Sequence, residues 1–198
     1  MCPAYEAGKP LSPRDLVQDL REHMETPQPS ALHGETISAE TLWSCTTCNA
    51  CNDICPLGVR PVDYITEMRR HLIGEGELRG APATSLQKMQ RSGNPWGLPS
   101  QDRLGWADGL GVPTVKDNPG FDVLYWVGCS AAYDRRVMKV ARAVAQLLQW
   151  AEVNFAVLGT EERCTGESAR RMGDEFLFQE LATSNIETFS SHNVKKIL

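Results

Sequence analysis

Residues 45–56 read CTTCNACNDICP, and the reading of the N-terminal half starts from them. Cys45, Cys48 and Cys51 stand at two-residue gaps, and Cys55 follows after three more residues with Pro56 behind it. This C-x-x-C-x-x-C-x-x-x-C-P spacing is the ligand run of bacterial [4Fe–4S] ferredoxins. The short gaps let one tight loop wrap three corners of a cubane. The fourth cysteine, fixed by its proline, points away and ligates the other cluster of a two-cluster protein. A structural zinc knot is the plain alternative; it needs four thiolates in a tetrahedron and usually pairs C-x-x-C units that lie far apart.

Cys45, Cys48 and Cys51 then need a fourth ligand from elsewhere. Cys2-Pro3 repeats the Cys-Pro ending and, like Cys55-Pro56, stands just ahead of a helix. Cys2 is therefore expected to complete the cluster, as the last cysteine of an earlier run whose first three members are absent. Cys55 is left for a second cluster held by that absent segment. A single cluster using all four local cysteines stays open, as does an incidental thiol at Cys2.

The rest of the composition bounds the class. The 198 residues are 41% hydrophobic and 23% charged, with a net charge of −5, which excludes a typical basic nucleic-acid binder. No apolar run approaches the roughly 18 residues of a membrane span, and Met1-Cys2-Pro3 does not open a signal peptide. Four of the seven cysteines crowd into residues 45–55. A disulfide framework would spread them, so metal ligation and a reducing compartment are expected.

Periodicity predicts two unlike domains, an all-helical ferredoxin-type [4Fe–4S] domain followed by an incomplete α/β cysteine-rich domain with a parallel sheet (α+α/β). In residues 1–80, Ser12-Pro13 with Asp15 starts a helix carrying Leu16, Val17, Leu20 and Met24 on one face. A second helix runs from about Ser38 into the cysteine run, with Leu42 and Trp43 inward, and a third begins near Pro61 with Val62, Ile65, Met68 and Leu72. Residues 81–120, rich in Gly and Pro, read as a linker with a short helix near Ser85–Arg91, pinned by Trp96 and Trp106. Residues 121–198 alternate strand and helix: strands at Asp122–Val127, Val153–Leu158 and Val194–Leu198, and helices at Tyr133–Ala151 and Glu167–Ser190. That order implies a parallel sheet with right-handed crossovers. The first helix is expected to bury Val137, Val140, Ala141, Val144, Leu147 and Leu148; the second carries Met172, Phe176, Leu177 and Leu181.

Cys129 follows the first of these strands and Cys164 the second, and in an open parallel sheet ligands bind beyond the carboxyl ends of the strands. The two thiols are thus expected on one functional edge, with the helix start near Gly166 favouring a thiolate at Cys164. Two unrelated buried cysteines are the bland reading. Arg135, Arg136, Lys139, Arg142, Arg170 and Arg171 make solvated basic faces, and His23, His33, His71 and His192 have no ligand spacing. Trp43 is expected to shield the cluster loop from water. There is no G-x-G-x-x-G or phosphate loop, so a flavin or nicotinamide would reside on a partner.

The stretches WVGCSAAYDRR (126–136) and LGTEERCTGESARRMGDEFLFQELATSNIETF (158–189), with the ferredoxin run, resemble heterodisulfide reductase-related iron–sulfur oxidoreductases, nearest the electron-transfer-flavoprotein:menaquinone oxidoreductase type. The resemblance covers nearly the whole chain. It implies a two-cluster ferredoxin module followed by two cysteine-rich "CCG" domains, often behind a haem-binding membrane domain. Cys129 matches the first cysteine of the first such domain, and Cys164 the first of its Cys-Cys-Gly element, so both are expected to bind a further iron–sulfur cluster. Here the element reads Cys164-Thr165-Gly166, a departure that weakens the five-cysteine non-cubane site. The chain is read as a fragment truncated at both ends, with Met1 an internal methionine or a mistaken start. The implied function is electron transfer from a flavoprotein such as electron-transfer flavoprotein toward a membrane quinone, at the cytoplasmic face of the plasma membrane through a missing or partner membrane domain. A catalytic heterodisulfide reductase-type protein and a zinc-stabilised interaction module are the alternatives.

Overall fold

The structure, a computed structural model, describes residues 2–198, so the reading of Met1 lies outside the described residues. The chain divides into two compact units. The first runs to Glu77 and adds Arg171–Asp174; the second comprises Leu78–Arg170 and Glu175–Leu198.

The first unit is helical: α1 (Pro3–Glu6), α2 (Pro13–Glu25), α3 (Ala39–Trp43), α4 (Ala50–Ile54) and α5 (Pro61–Gly74). Its helix starts follow local chemistry. Ser12 Oγ accepts the Asp15 N–H at 3.3 Å with Pro13 in the first turn, and Ser38 Oγ accepts the Thr41 N–H at 3.1 Å. Leu16, Ile37, Leu42, Ile65 and Leu72 form the core with Ala4 and Leu11; Trp43, Cys45 and Cys2 pack at its edge. Met24, expected on the buried face of α2, is exposed in the last turn. The second helix stops at Trp43 short of the cysteine run, which instead forms a loop and the unexpected α4.

The second unit holds α6 (Ala81–Ser92), a 3-10 helix at Ser100–Ala107, β1 (Val123–Leu124), α7 (Gly128–Tyr133), α8 (Arg135–Trp150), β2 (Phe155–Ala156), a 3-10 turn at Gly159–Glu161, α9 (Glu167–Met172, whose last two residues count with the first unit) and α10 (Glu175–Ser191). The sheet is parallel as expected, with Val123 opposite Phe155 and Leu124 opposite Ala156. The third expected strand reduces to a single parallel bridge, Leu124 to Ile197, with the Trp126 N–H bonded to Leu198 O at 2.9 Å. An edge that the pattern did not suggest comes from Thr114, bridged in parallel to Val157.

Residues 81–120 are therefore not a linker in this structure: from Leu78 onward the chain belongs to the second unit. Trp106 is 2% exposed and meets Tyr125 edge-on at 6.0 Å; Met89 is fully buried. Buried Asn94 takes the N–H groups of Trp96 and Leu98 on its Oδ1 and donates to the Ser92 and Leu98 carbonyls. Gly and Pro here mark turns of a packed segment, because side-chain amides and buried aromatics supply what regular elements do not.

Two helices also differ in detail. On α8 the inward stripe is Met138, Ala141, Ala145 and Leu148, at steps of three and four, which leaves Val140 and Leu147 outside. The single helix expected over 167–190 is two, α9 and α10, broken at Gly173 with φ +95°. Within the first unit an added Cβ at Gly173 would lie 2.6 Å from the Arg70 nitrogen of α5, so the backbone there closes onto α5.

Candidate iron–sulfur site

The cysteine loop leaves α3 at Ser44 and turns through Thr47 and Asn49, both left-handed at φ 54° and 62°. For a β-branched threonine this is a strained conformation, of the kind that the surrounding structure must impose. The two reversals bring the loop cysteines back to one side. The Thr47 N–H donates to Cys45 Sγ at 3.4 Å. Asn52 of α4 donates from Nδ2 to Asn49 Oδ1 at 3.0 Å and accepts the Val62 N–H of α5 on its own Oδ1 at 3.4 Å, which ties the loop to the start of α5.

Cys2, Cys45, Cys48 and Cys51 line one cleft, whose remaining wall is largely Leu11, Pro13, Val62 and Ile65. Cys48 is exposed and the other three are half-buried. Among the described residues no three His, Cys, Asp or Glu groups converge on a single-ion site. Burial pushes the Cys45 and Cys51 thiols up, against the pull of the Thr47 N–H and Arg69 on Cys45. Four thiols, apolar walls, one N–H on sulfur and a nearby cation fit a [4Fe–4S] cluster, which is an anion.

Cys55 is placed differently. It ends α4 in an extended conformation (φ −74°, ψ 113°), as a residue before proline must. It lines a neighbouring apolar groove with Val17, Ile54, Val59 and Pro61, and Cys2 and Cys51 border that groove as well. Ile54 and Leu57 beside it are exposed.

In the second unit the two remaining thiols do come together. Cys129 lies in the first turn of α7 after β1, and Cys164 follows the turn after β2; each is within hydrogen-bonding reach of the other. Gly93 O accepts the Cys164 N–H at 2.7 Å and the Cys129 Sγ at 3.5 Å. Cys164 Sγ also sits 3.8 Å from Met89 Sδ. The shared hydrogen bond and burial push Cys129 up. The same bond, outweighing burial and helped by the Gly166 N–H, pulls Cys164 down to about 6.

The residues that frame this pair were not singled out from sequence. Arg103 Nη2 donates to Glu162 Oε1 at 2.6 Å and reaches Cys129 Sγ at 3.5 Å; both charged side chains are at most 3% exposed. Glu162 also accepts the Val127 and Gly128 N–H groups at 3.2 and 2.8 Å, which orients the start of α7. Burial works against the Arg103 charge, but the Glu162 carboxylate outweighs it and raises its pKa. Only the position of Glu162, two residues before Cys164, hinted at a role. Thr165, in place of a second cysteine, accepts the Glu167 N–H at 3.4 Å. Two thiols are half of a cubane's ligand set, so the described residues of this unit do not by themselves fit a further cluster.

Residues 1–59 match the family described as 4Fe-4S dicluster domain, and residues 123–198 match the cysteine-rich domain family. The chain is an iron–sulfur protein with a [4Fe–4S] ferredoxin-type region ahead of a cysteine-rich domain. More particularly, it is similar to the heterodisulfide reductase-related iron–sulfur oxidoreductases. It is 34% identical to an EtfAB:quinone oxidoreductase of Syntrophomonas wolfei, the match covering 100% of this chain and 33% of that protein. It is 39% identical to a probable membrane-anchored ferredoxin of Chromohalobacter salexigens, covering 100% and 33%. With one polypeptide of the dihydromethanophenazine:CoB–CoM heterodisulfide reductase of Methanosarcina barkeri the identity is 29%, covering 100% and 51%. The chain thus spans about a third to a half of the length of these relatives. No solved structure matches it.

Proposed function

We propose that this chain is an electron-transfer module that receives electrons from a flavoprotein and passes them toward a membrane quinone. The observation that carries the reading is the common cleft of Cys2, Cys45, Cys48 and Cys51, formed although 43 positions separate Cys2 from Cys45. These four thiols would hold one [4Fe–4S] cluster, with Cys55 turned toward a second. A cluster bound there supplies one-electron redox chemistry. The chain's own residues hold the thiols, keep the cleft wall apolar and donate the Thr47 N–H to sulfur. The flavoprotein donor and the quinone acceptor rest on the similarity to an EtfAB:quinone oxidoreductase. A membrane link is supported by the similarity to a membrane-anchored ferredoxin; no helix among the described residues is long and apolar enough to cross a membrane. The cytoplasmic face of the membrane is part of the same proposal. Cys129 and Cys164 would take part in a further cluster only together with thiols of a longer protein.

Anaerobic loading with iron and sulfide tests the ligand set. Cys2→Ser is expected to lose most of the bound iron and the visible sulfur-to-iron absorbance, while Cys55→Ser retains them. The reverse result overturns the assignment of Cys2. Zinc bound in preference to iron overturns the electron-transfer reading itself.

A further inference from the structure

We infer that Arg69 sets the reduction potential of the cluster at the Cys45 loop, acting as a buried, fixed positive charge that favours the reduced state. The inference rests on the proposed cluster at Cys2, Cys45, Cys48 and Cys51. Arg69 lies in the middle of α5, on the side that faces α3 and the loop, and is 4% exposed. Its guanidinium makes four hydrogen bonds, all to backbone carbonyl oxygens. Nε and Nη2 bond Leu42 O at 3.2 and 2.5 Å, Nη2 also bonds Cys45 O at 2.7 Å, and Nη1 bonds Arg171 O at 2.8 Å. Its flat face lies 4.9 Å from the centre of the Trp43 ring.

These partners hold the charge in place without cancelling it. A buried arginine is ordinarily matched by a carboxylate, because an uncompensated ion in a low dielectric is costly. Arg103 in the second unit follows that rule through Glu162. Arg69 is held by carbonyl dipoles and an aromatic face instead, with its donors bonded to the carbonyl of Cys45 itself. An anion placed in the adjoining cleft would supply the missing counter-charge. A [4Fe–4S] cluster on four thiolates is such an anion and gains one more negative charge on reduction. A cation held beside it in a water-poor setting stabilises the more negative state, and burial limits screening by salt. The guanidinium keeps its charge over the working pH range, so the effect does not switch off with pH. Trp43 thereby acquires a role other than the water shield expected from sequence: its ring face steadies the cation.

Arg69 is a positioning residue that acts through the ligand loop, and the test must separate its charge from its hydrogen bonds. Arg69→Gln, Arg69→Met and Arg69→Lys would be prepared in the full chain, loaded anaerobically with iron and sulfide, and titrated potentiometrically with detection of the reduced cluster by electron paramagnetic resonance. Arg69→Gln and Arg69→Met are expected to lower the reduced-to-oxidised ratio at a given potential at least tenfold, a shift of about 59 mV to more negative values for a one-electron couple. Arg69→Lys, which keeps the charge and loses the fork, is expected to recover more than half of that shift. An unchanged midpoint in iron-replete Arg69→Gln overturns the inference, and so does loss of iron from all three variants, which would make Arg69 a fold element only. Failure of the unsubstituted chain to form any cluster overturns the underlying cluster assignment, a result distinct from a cluster with an unmoved potential.

Discussion

Arg103 and Glu162 are at most 3% exposed, and their 2.6 Å contact is the anchor of the Cys129 edge. A buried pair of this kind adds little over a well-packed apolar pair, yet removing one partner strands the other charge. Arg103→Met is therefore expected to destabilise the chain by about 3–5 kcal/mol in urea denaturation. The double change Arg103→Met with Glu162→Leu should recover part of that loss, though not all of it, because the Val127 and Gly128 N–H groups lose their acceptor. A single-variant cost below about 1 kcal/mol would mean that the pair is not sealed from water. At the same scale, Cys45, Cys48, Cys51 and Cys55 were legible from spacing alone, because a contiguous loop carries its own geometry. Arg69 and Arg103 were not. An arginine in a helix or a loop reads as a solvated charge until burial shows otherwise.

At the scale of elements, the helix starts were visible and the breaks were not. Ser12 and Ser38 cap α2 and α3 through hydroxyls that sequence can place, since the partner N–H groups lie only three residues on. The separation of α9 from α10 depends on Gly173, whose neighbours come from α5, about a hundred positions earlier. Gly173→Ala would put Cβ 2.6 Å from the Arg70 nitrogen and 2.7 Å from the Arg69 carbonyl carbon, at φ +95°, with backbone atoms that cannot swing aside. It is expected to cost more than about 3 kcal/mol by denaturant titration. Gly8→Ala is the control: φ is +76°, but an added Cβ meets nothing within 4 Å, so only the backbone cost of about 1 kcal/mol applies. Equal losses at the two sites would show that the close approach at Gly173 does not govern the break. The sheet follows the same logic, for alternation announced β1 and β2, while the edge at Thr114 exists only because Val157 is there to pair with it.

At the scale of the whole molecule, the chain forms two units, and the first reclaims Arg171–Asp174 from late in the sequence. Metal loading stabilises the state that binds the metal and, by linkage, the amides that open with it. Loading with iron and sulfide is therefore expected to slow hydrogen exchange chiefly in residues 2–77 and 171–174. Exchange in β1, β2 and α8 should change far less. Uniform slowing across all 198 residues would instead mark one cooperative body.

The sequence alone determined the cofactor class and the alternation of strand and helix, because ligand spacing and periodicity are local and survive without a fold. Tertiary structure decided the rest. It put Cys2 in the cleft of Cys45, Cys48 and Cys51, turned residues 81–120 from a linker into part of the second unit, and brought Cys129 and Cys164 together under Arg103 and Glu162. Each of these joins positions far apart in the chain, and such contacts are settled by burial and charge pairing once the elements have packed.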